Sequence, residues 1–473
     1  ATDVCPFVPV SGITMEECAA LARRLGKRVG EELGIPVYLY EFAATTPERK
    51  NLAWIRQGEY EGLAENIKKK DRVPDFGKAA FNARSGATAI GARKFLIAYN
   101  INLNTLDRKL AHDIALNIRE AGRSERDEEG KIVRDASGAA VKKPGLFRDV
   151  KAVGWIIEEY RRAQISINFT DYEVSPPHLV FDEVCKQAAE RGMRVTGSEL
   201  VGLIPKDALI QAGVHYLKKQ GRSHGVPEPM ILETAIQSLG LSDLYPFKPE
   251  EKVIEYRVAS RMGPLASKTI VDFADEVSTE SPAPGGGSVA ALVGSLGAAL
   301  AAMVANLTVG KKGFEDAWDE MSGLAAKGQE LKDFFLRAID EDTRAFTAVM
   351  DASRLPKKTE EEQAAREKAV ETAMKEAALV PLRTLGRTEE VVALAALAAE
   401  KGNPASVSDA AVAALCALSA AEGAWFNVII NLGQIADKAF VEETRARADV
   451  ILENVRSGSE RVREAVRNLL EAT

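Results

Sequence analysis

The chain is poor in the residues from which metal and disulfide chemistry is built. Its 473 residues include four cysteines, Cys5, Cys18, Cys185 and Cys416, far apart and without paired spacing. Neither a zinc site nor a disulfide framework is indicated. Histidine is as scarce: His112, His178, His215 and His224 are scattered, which leaves a metal enzyme little to build on. Positive charge is not in excess either. Lys and Arg number 62 against 69 Asp and Glu, a net charge of -7, so nucleic acid is not expected as the main partner, because phosphate binding needs a basic surface. Local basic patches for an acidic small substrate remain open. Long hydrophobic runs are almost missing. One uncharged stretch, Val289 to Gly310, has the length of a membrane span, yet it is mostly Ala, Gly and Ser and no second comparable segment stands beside it. No span is expected, and the stretch reads as a central helix of a soluble bundle. The opening residues, Ala1 to Val10, have no initiator Met and no signal-peptide pattern; they read as the inside of a domain, as in a fragment of a longer chain. The cytoplasm is the default location.

What is present divides at about residue 260. Before it the pattern is mixed. Val4 to Val10 reads as a strand, Met15 to Leu33 as a helix opened by a Thr14/Glu17 capping box, and Val37 to Tyr40 as a strand. Asn51 to Lys69 is helical, and the loop Gly77 to Gly86 runs into Ala87 to Lys94. Strands are then expected over Lys94–Leu103, Ala152–Ile157, Ala163–Phe169 and Arg194–Leu203, with helices over Thr105–Glu120 and Asp182–Arg191, and a charged hairpin insert over Gly122–Lys143. That order, β-α-β-β-α-β, is the ferredoxin-like arrangement. Helices Lys206–Lys219 and Pro229–Leu239 and a short strand Val253–Tyr256 come next. Beyond Ala259 no strand is expected, and five long helices with short connections read as an all-α bundle.

Several residues stand out chemically. Ser281-Pro-Ala-Pro-Gly-Gly-Gly-Ser288 is a turn leading into a helix N-terminus, whose free amides and dipole suit an anion, or else a flexible joint. On the second bundle helix Phe335, Ile339, Phe346 and Val349 share a face, and the position completing their rhythm is Asp342. A carboxylate in such a place has a raised pKa and can exchange protons near neutrality, or is buried in a structural pair. Asp340 points elsewhere and reads as a solvated residue. Ser406 and Asp409 have the spacing of a helix cap. Asn427 and Asn431, one turn apart in an apolar setting, need partners from a helix, a subunit or a ligand. Arg84, Arg93 and Lys94 around the Gly77–Gly86 loop offer grips for an acidic ligand, or are sheet-edge charges.

The motifs Asp3-Val-Cys-Pro-Phe7, Gly58-Glu-Tyr-Glu61, Pro74-Asp-Phe-Gly77, Gly86-Ala-Thr-Ala-Ile-Gly-Ala-Arg-Lys94 and Ala283-Pro-Gly-Gly-Gly-Ser-Val-Ala290 resemble those of the formimidoyltransferase-cyclodeaminase family. The resemblance runs from Asp3 to the C-terminus. It implies α+β ferredoxin-like formimidoyltransferase subdomains at 1–93 and 94–257, a linker at 258–267, and an all-α helical-bundle cyclodeaminase domain at 268–473. It implies a bifunctional folate enzyme of histidine degradation: formimino transfer from N-formimino-L-glutamate to tetrahydrofolate, then closure of 5-formiminotetrahydrofolate to 5,10-methenyltetrahydrofolate with release of ammonia. It also implies polyglutamylated tetrahydrofolate as co-substrate, no metal, and a homo-oligomer. Carried over by position, the catalytic aspartate falls on Asp342, and the folate-binding segment on Gly77, Lys78, Ala79, Ala80, Phe81, Asn82, Ala83, Arg84, Ser85 and Gly86. Gly285, Gly286, Gly287, Ser288, Asn427 and Asn431 are the candidate ligand contacts of the bundle. The family's transferase histidine precedes the Asp3 strand and matches none of the four histidines here. The alternative is therefore that cyclodeaminase or methenyltetrahydrofolate cyclohydrolase activity stands alone, with the front half as a folate scaffold. A third reading, from another class, is a bundle that serves only to oligomerise.

Overall fold

The computed structural model describes residues 3–136, 138–258 and 262–472. They form two units, Ala1–Ala208 with Leu239–Arg257, and Leu209–Ser238 with Val258–Thr473.

The first unit holds two sheets. Strands β1 (Val4–Phe7), β2 (Val37–Glu41) and β3 (Thr88–Ala92) are parallel in the order β1-β3-β2, with helix α1 (Met15–Glu32) packed on them. The Thr14/Glu17 capping box is formed: the Glu17 amide donates to Thr14 Oγ1 at 3.2 Å and the Thr14 amide to Glu17 Oε2 at 2.7 Å. The deeply buried face of α1 is made of small residues, Ala22, Gly26 and Gly30. A Cβ on Gly30 would lie 2.5 Å from the Gly77 amide nitrogen, so the helix fixes the start of the loop that begins at Gly77. Gly77 itself has φ +82, a conformation that favours glycine.

The second sheet consists of β4 (Ile97–Leu103), β5 (Val150–Ile157), β6 (Arg162–Phe169) and β7 (Val195–Val201), antiparallel in the order β5-β6-β4-β7. With α2 (Arg108–Ile118) after β4 and α3 (Pro177–Glu190) after β6, this is the expected ferredoxin-like connectivity. Ile97, Tyr99, Ile101 and Leu103 are buried on one face, as period-two alternation requires.

Several boundaries differ from expectation. The strand expected over Lys94–Leu103 starts at Ile97, and β3, a short buried strand of small residues, belongs to the other sheet. The expected helix over Asn51–Lys69 is two pieces, Leu52–Ile55 and Glu59–Asn66, parted at Gly58 with φ +85. Val253–Tyr256 is not a strand: Val253 makes one parallel bridge to Ile204 and helix Ile254–Val258 begins next. The Gly122–Lys143 insert is a ribbon, Arg123–Ser124 against Lys142–Lys143; its Ser137 lies outside the described residues.

In the second unit a bundle is built from α4 (Gly286–Asn306), α5 (Trp318–Ser353), α6 (Glu360–Lys401), α7 (Val407–Leu432) and α8 (Lys438–Glu471). Its core is rich in alanine, with Ala298, Ala301, Ala413, Ala417 and Ala421 fully buried. Glycines let the helices approach: a Cβ on Gly297 would meet the Ala413 carbonyl at 3.0 Å, and one on Gly294 the Phe335 ring at 2.8 Å. Helix α4 begins at Gly286, three residues before expectation, so the glycines form its first turn. Ser406 and Asp409 do not form the expected cap; the Ser406 hydroxyl donates instead to the Asn403 carbonyl at 3.0 Å. Among the described residues two helices are long and apolar enough to cross a membrane, Gly286–Asn306 and Pro404–Leu432. The second was not expected from the sequence, and residues of both lie in the bundle core. Of the proposed linker, residues 259–261 lie outside the described residues.

Candidate functional site

In the second unit the chemistry gathers at the start of α4. Gly285 is the N-cap, and no side chain caps the helix there, so the amides of Gly286 and Gly287 keep their capacity for an anion. Gly287 and Ser288 are buried and face α5, where the Asp342 side chain stands. A Cβ on Gly287 would lie 2.1 Å from Asp342 Oδ1; any side chain there would occupy the place of the carboxylate. The Ser288 hydroxyl lies 3.0 Å from Asp342 Oδ2 and 2.9 Å from the Ile339 carbonyl oxygen. Burial pushes the Asp342 carboxyl above its ordinary range, while the Ser288 hydroxyl and backbone amide pull it partway back. Among the described residues no counter-charge is paired with it, which suits the carboxylate to taking and returning a proton.

Asn427 belongs to the same place. Its Nδ2 would be 3.4 Å from a Cβ on Gly286, and it donates to the Gly423 carbonyl on its own helix at 2.8 Å. Asn431 does not join it: its Nδ2 donates to the Ala377 carbonyl of α6 at 2.7 Å, a structural pairing. Asp340, expected in solvent, is 4% exposed and accepts the amides of Leu265 at 2.9 Å and Ala266 at 3.1 Å. It fastens the turn before the bundle to α5, two residues from Asp342. Phe346, expected on the buried stripe, is 38% exposed. Beyond Asp342 the core face of α5 is continued by Ala345 and Val349 instead.

In the first unit the Gly77–Gly86 loop is exposed over most of its length. Its C-terminal half is organised by Asn82, whose Oδ1 accepts the amides of Arg84 and Ser85, each at 3.1 Å, and by Tyr60, whose hydroxyl donates to the Ala83 carbonyl at 2.7 Å. A cavity of about 510 Å³ opens here, lined among others by Tyr38, Arg56, Tyr60, Arg84, Ser85 and Gly86. Gly77 to Ala83 do not line it. Lys94 is no free grip for a ligand, since its Nζ is bound by Asp171 at 2.7 Å and Glu173 at 2.6 Å. Arg93 donates to the Lys94 carbonyl.

One polar array was not anticipated from the sequence. On the face of the second sheet opposite α2, Gln164 donates to Asn102 at 2.6 Å and receives the Trp155 indole N–H at 3.1 Å, and Asn100 donates to Glu199 at 3.2 Å. Asn102 and Gln164 are completely buried. The alternation Asn100-Ile101-Asn102 carried the signal, two amides on one face of a strand. The histidines are dispersed; His112 accepts the Gly154 amide and His224 shares a hydrogen bond with Ser322. Among the described residues no group of three His, Cys, Asp or Glu is placed to hold a metal.

Three family profiles cover the chain: the formiminotransferase N-terminal subdomain over residues 1–93, the formiminotransferase domain over 98–259, and formiminotransferase-cyclodeaminase over 269–450. A formimidoyltransferase-cyclodeaminase of Gallus gallus is 42% identical over 461 residues, 97% of this chain and 82% of the relative. The chain belongs to the formimidoyltransferase-cyclodeaminase family. The relative of that family from Dictyostelium discoideum is 39% identical over 475 residues, 100% of this chain and 84% of its own length. Outside the bifunctional members of the formimidoyltransferase-cyclodeaminase family, a methenyltetrahydrofolate cyclohydrolase of Methylorubrum extorquens is 39% identical over 202 residues, 43% of this chain and 97% of its own. A solved formiminotetrahydrofolate cyclodeaminase of Thermotoga maritima covers 43% of this chain and 98% of its own, at 29% identity and a TM-score of 0.40.

Proposed function

We propose that the chain carries out two successive folate reactions of histidine degradation. The first unit passes a formimino group from N-formimino-L-glutamate to tetrahydrofolate, and the bundle closes 5-formiminotetrahydrofolate to 5,10-methenyltetrahydrofolate and ammonia. Relatives that match both halves in one chain support this over ring closure alone. The carrying observation for the second step is the half-buried Asp342 carboxylate held against Gly287 and Ser288. The substrate enters as the amidinium at N5. Its N10 attacks the amidinium carbon and gives its proton to Asp342. Asp342 then returns that proton to the amino group on the new tetrahedral carbon, which leaves as ammonia, and the methenyl cation remains. One proton is moved, none is consumed, and the raised affinity of a desolvated carboxylate for a proton fits it for both directions. The amides at the start of α4 are placed for an anionic part of the ligand and the Asn427 amide for its polar edge.

For the first step the 84–86 segment and its cavity are the proposed folate contact, with Arg84 facing a carboxylate. A polyglutamylated co-substrate, a homo-oligomer, a cytoplasmic location and catalysis without metal complete the reading. The decisive experiment mixes the purified chain with 5-formiminotetrahydrofolate and follows methenyltetrahydrofolate absorbance, beside an Asp342→Asn variant whose urea midpoint is not below the parent's. The parent is expected to form product and the variant none. An equally active variant moves the proton carrier elsewhere; a silent parent removes the ring-closure assignment.

A further inference from the structure

The Ser288 hydroxyl has more acceptors than protons. It stands 2.9 Å from the Ile339 carbonyl oxygen, 3.0 Å from Asp342 Oδ2 and 3.3 Å from Thr343 Oγ1, and the residue is 0% exposed. A serine hydroxyl carries one proton and two lone pairs. It can donate to Ile339 or to Asp342, never to both. Full burial also keeps it from touching a ligand, although Gly286, two residues before it, is exposed.

We propose that Ser288 is a positioning residue for ring closure, its hydroxyl turning between Asp342 and Ile339 so that Asp342 keeps a hydrogen bond in both its ionised and its protonated form. This rests on Asp342 as the proton carrier. While Asp342 is ionised, the Ser288 O–H donates to Oδ2. Once Asp342 has taken the N10 proton, that O–H swings about its C–O bond to donate to Ser288 Oγ, the serine proton turns to the Ile339 carbonyl, and the swing reverses before the proton is returned. A backbone carbonyl has a second lone pair beyond the one used in the helix ladder, so that acceptor is available. No proton passes through Ser288. The proton that Asp342 receives from N10 is the one that it returns to the leaving nitrogen, and the serine only reorients.

The geometry makes this worthwhile. A half-buried carboxyl group that lost its partner on changing charge would pay for an unmatched polar atom at each step of the cycle. Rotation of the two O–H groups avoids a side-chain movement. The neighbouring charges do not take over that task. Helix α4 has none between Gly286 and Asn306. On α5 Asp340 is held by the Leu265 and Ala266 amides, and Glu341 and Arg344 flank the site; α6, which packs at Ala345 through Ala377 and Val380, carries Lys375, Glu376 and Arg383; α7 carries Glu422. Burial and Ser288 are what displace the titration of Asp342.

The test is the pH profile of kcat for ring closure by the full chain, in the parent and in Ser288→Ala and Ser288→Cys. The hydroxyl favours the ionised carboxylate, so its loss must move the acid limb to higher pH. For Ser288→Ala a displacement of about one pH unit is expected, with kcat at neutral pH down about tenfold and KM unchanged, the size of one hydrogen bond to a charged group. Ser288→Cys, a weak donor, moves the limb the same way by less, and decides the matter if the alanine variant does not fold. An acid limb that coincides with the parent's, in a variant with the parental urea midpoint, overturns the proposal even where kcat is lower at every pH. If Asp342→Asn is inactive in that case, the role of Ser288 alone has failed; if Asp342→Asn is active, the proton-carrier assignment fails and this one with it.

Discussion

Asp342 is held in a place that opposes its own ionisation, and this bears on folding as well as on chemistry. Its carboxyl titrates above its ordinary range in the folded chain and near about 3.9 when unfolded. A raised value means stability that is present below the unfolded pKa and lost as pH rises through the folded one. Asp342→Asn is therefore expected to be slightly more stable than the parent to urea at pH 7 to 8, with the difference vanishing below about pH 4. A variant less stable at neutral pH than at pH 4, relative to the parent, would contradict the sign. Asp342 was legible in the sequence because Phe335 and Ile339 set a rhythm that it continues. The rhythm misleads at Phe346, which faces out, while Val349 beyond it packs against the core. Asp340 was not legible: its partners Leu265 and Ala266 lie 75 and 74 positions away, and no local pattern announces a contact of that separation.

At the scale of the element, the first turn of α4 determines where the carboxylate can be. Gly287 leaves a space that Asp342 fills, with 2.1 Å between a would-be Cβ and Oδ1. Gly287→Ala is expected to leave the helical circular dichroism intact and to displace Asp342, lowering kcat about 100-fold, as misplacement of a reacting group by an ångström does. An alanine variant with parental kcat would show that the close approach is incidental. The glycine run itself was plain in the sequence, but its place inside the helix was not. Three glycines read as a breaker, and here the packing against α5 overrides that weak local preference. Strand β3 does not stand out from its neighbours in the sequence for a related reason. Thr88-Ala-Ile-Gly-Ala92 has small residues and no alternation, because a central parallel strand is buried on both faces.

For the whole molecule, the two units close separate hydrophobic clusters, and the two reactions are assigned to different units. Asp342→Asn is thus expected to release glutamate from N-formimino-L-glutamate at the parental rate while 5-formiminotetrahydrofolate accumulates; a parallel fall in glutamate release would tie the first reaction to the second site. The ferredoxin-like order was readable from periodicity, since strand and helix patterns differ in kind, whereas the grouping of Leu209–Ser238 with the bundle was not. What composition hid is the material of the bundle. Ala298, Ala301, Ala410, Ala413, Ala414, Ala417 and Ala421 are wholly enclosed, and alanine has no side-chain rotamers to exchange. The wall formed where α4 meets α7 therefore cannot soften as a leucine-filled interior can, by side chains hopping among alternative poses. Its stiffness comes from main chains lying close together, and it also leaves that wall no room to thicken: even one added methyl group must push two helices apart.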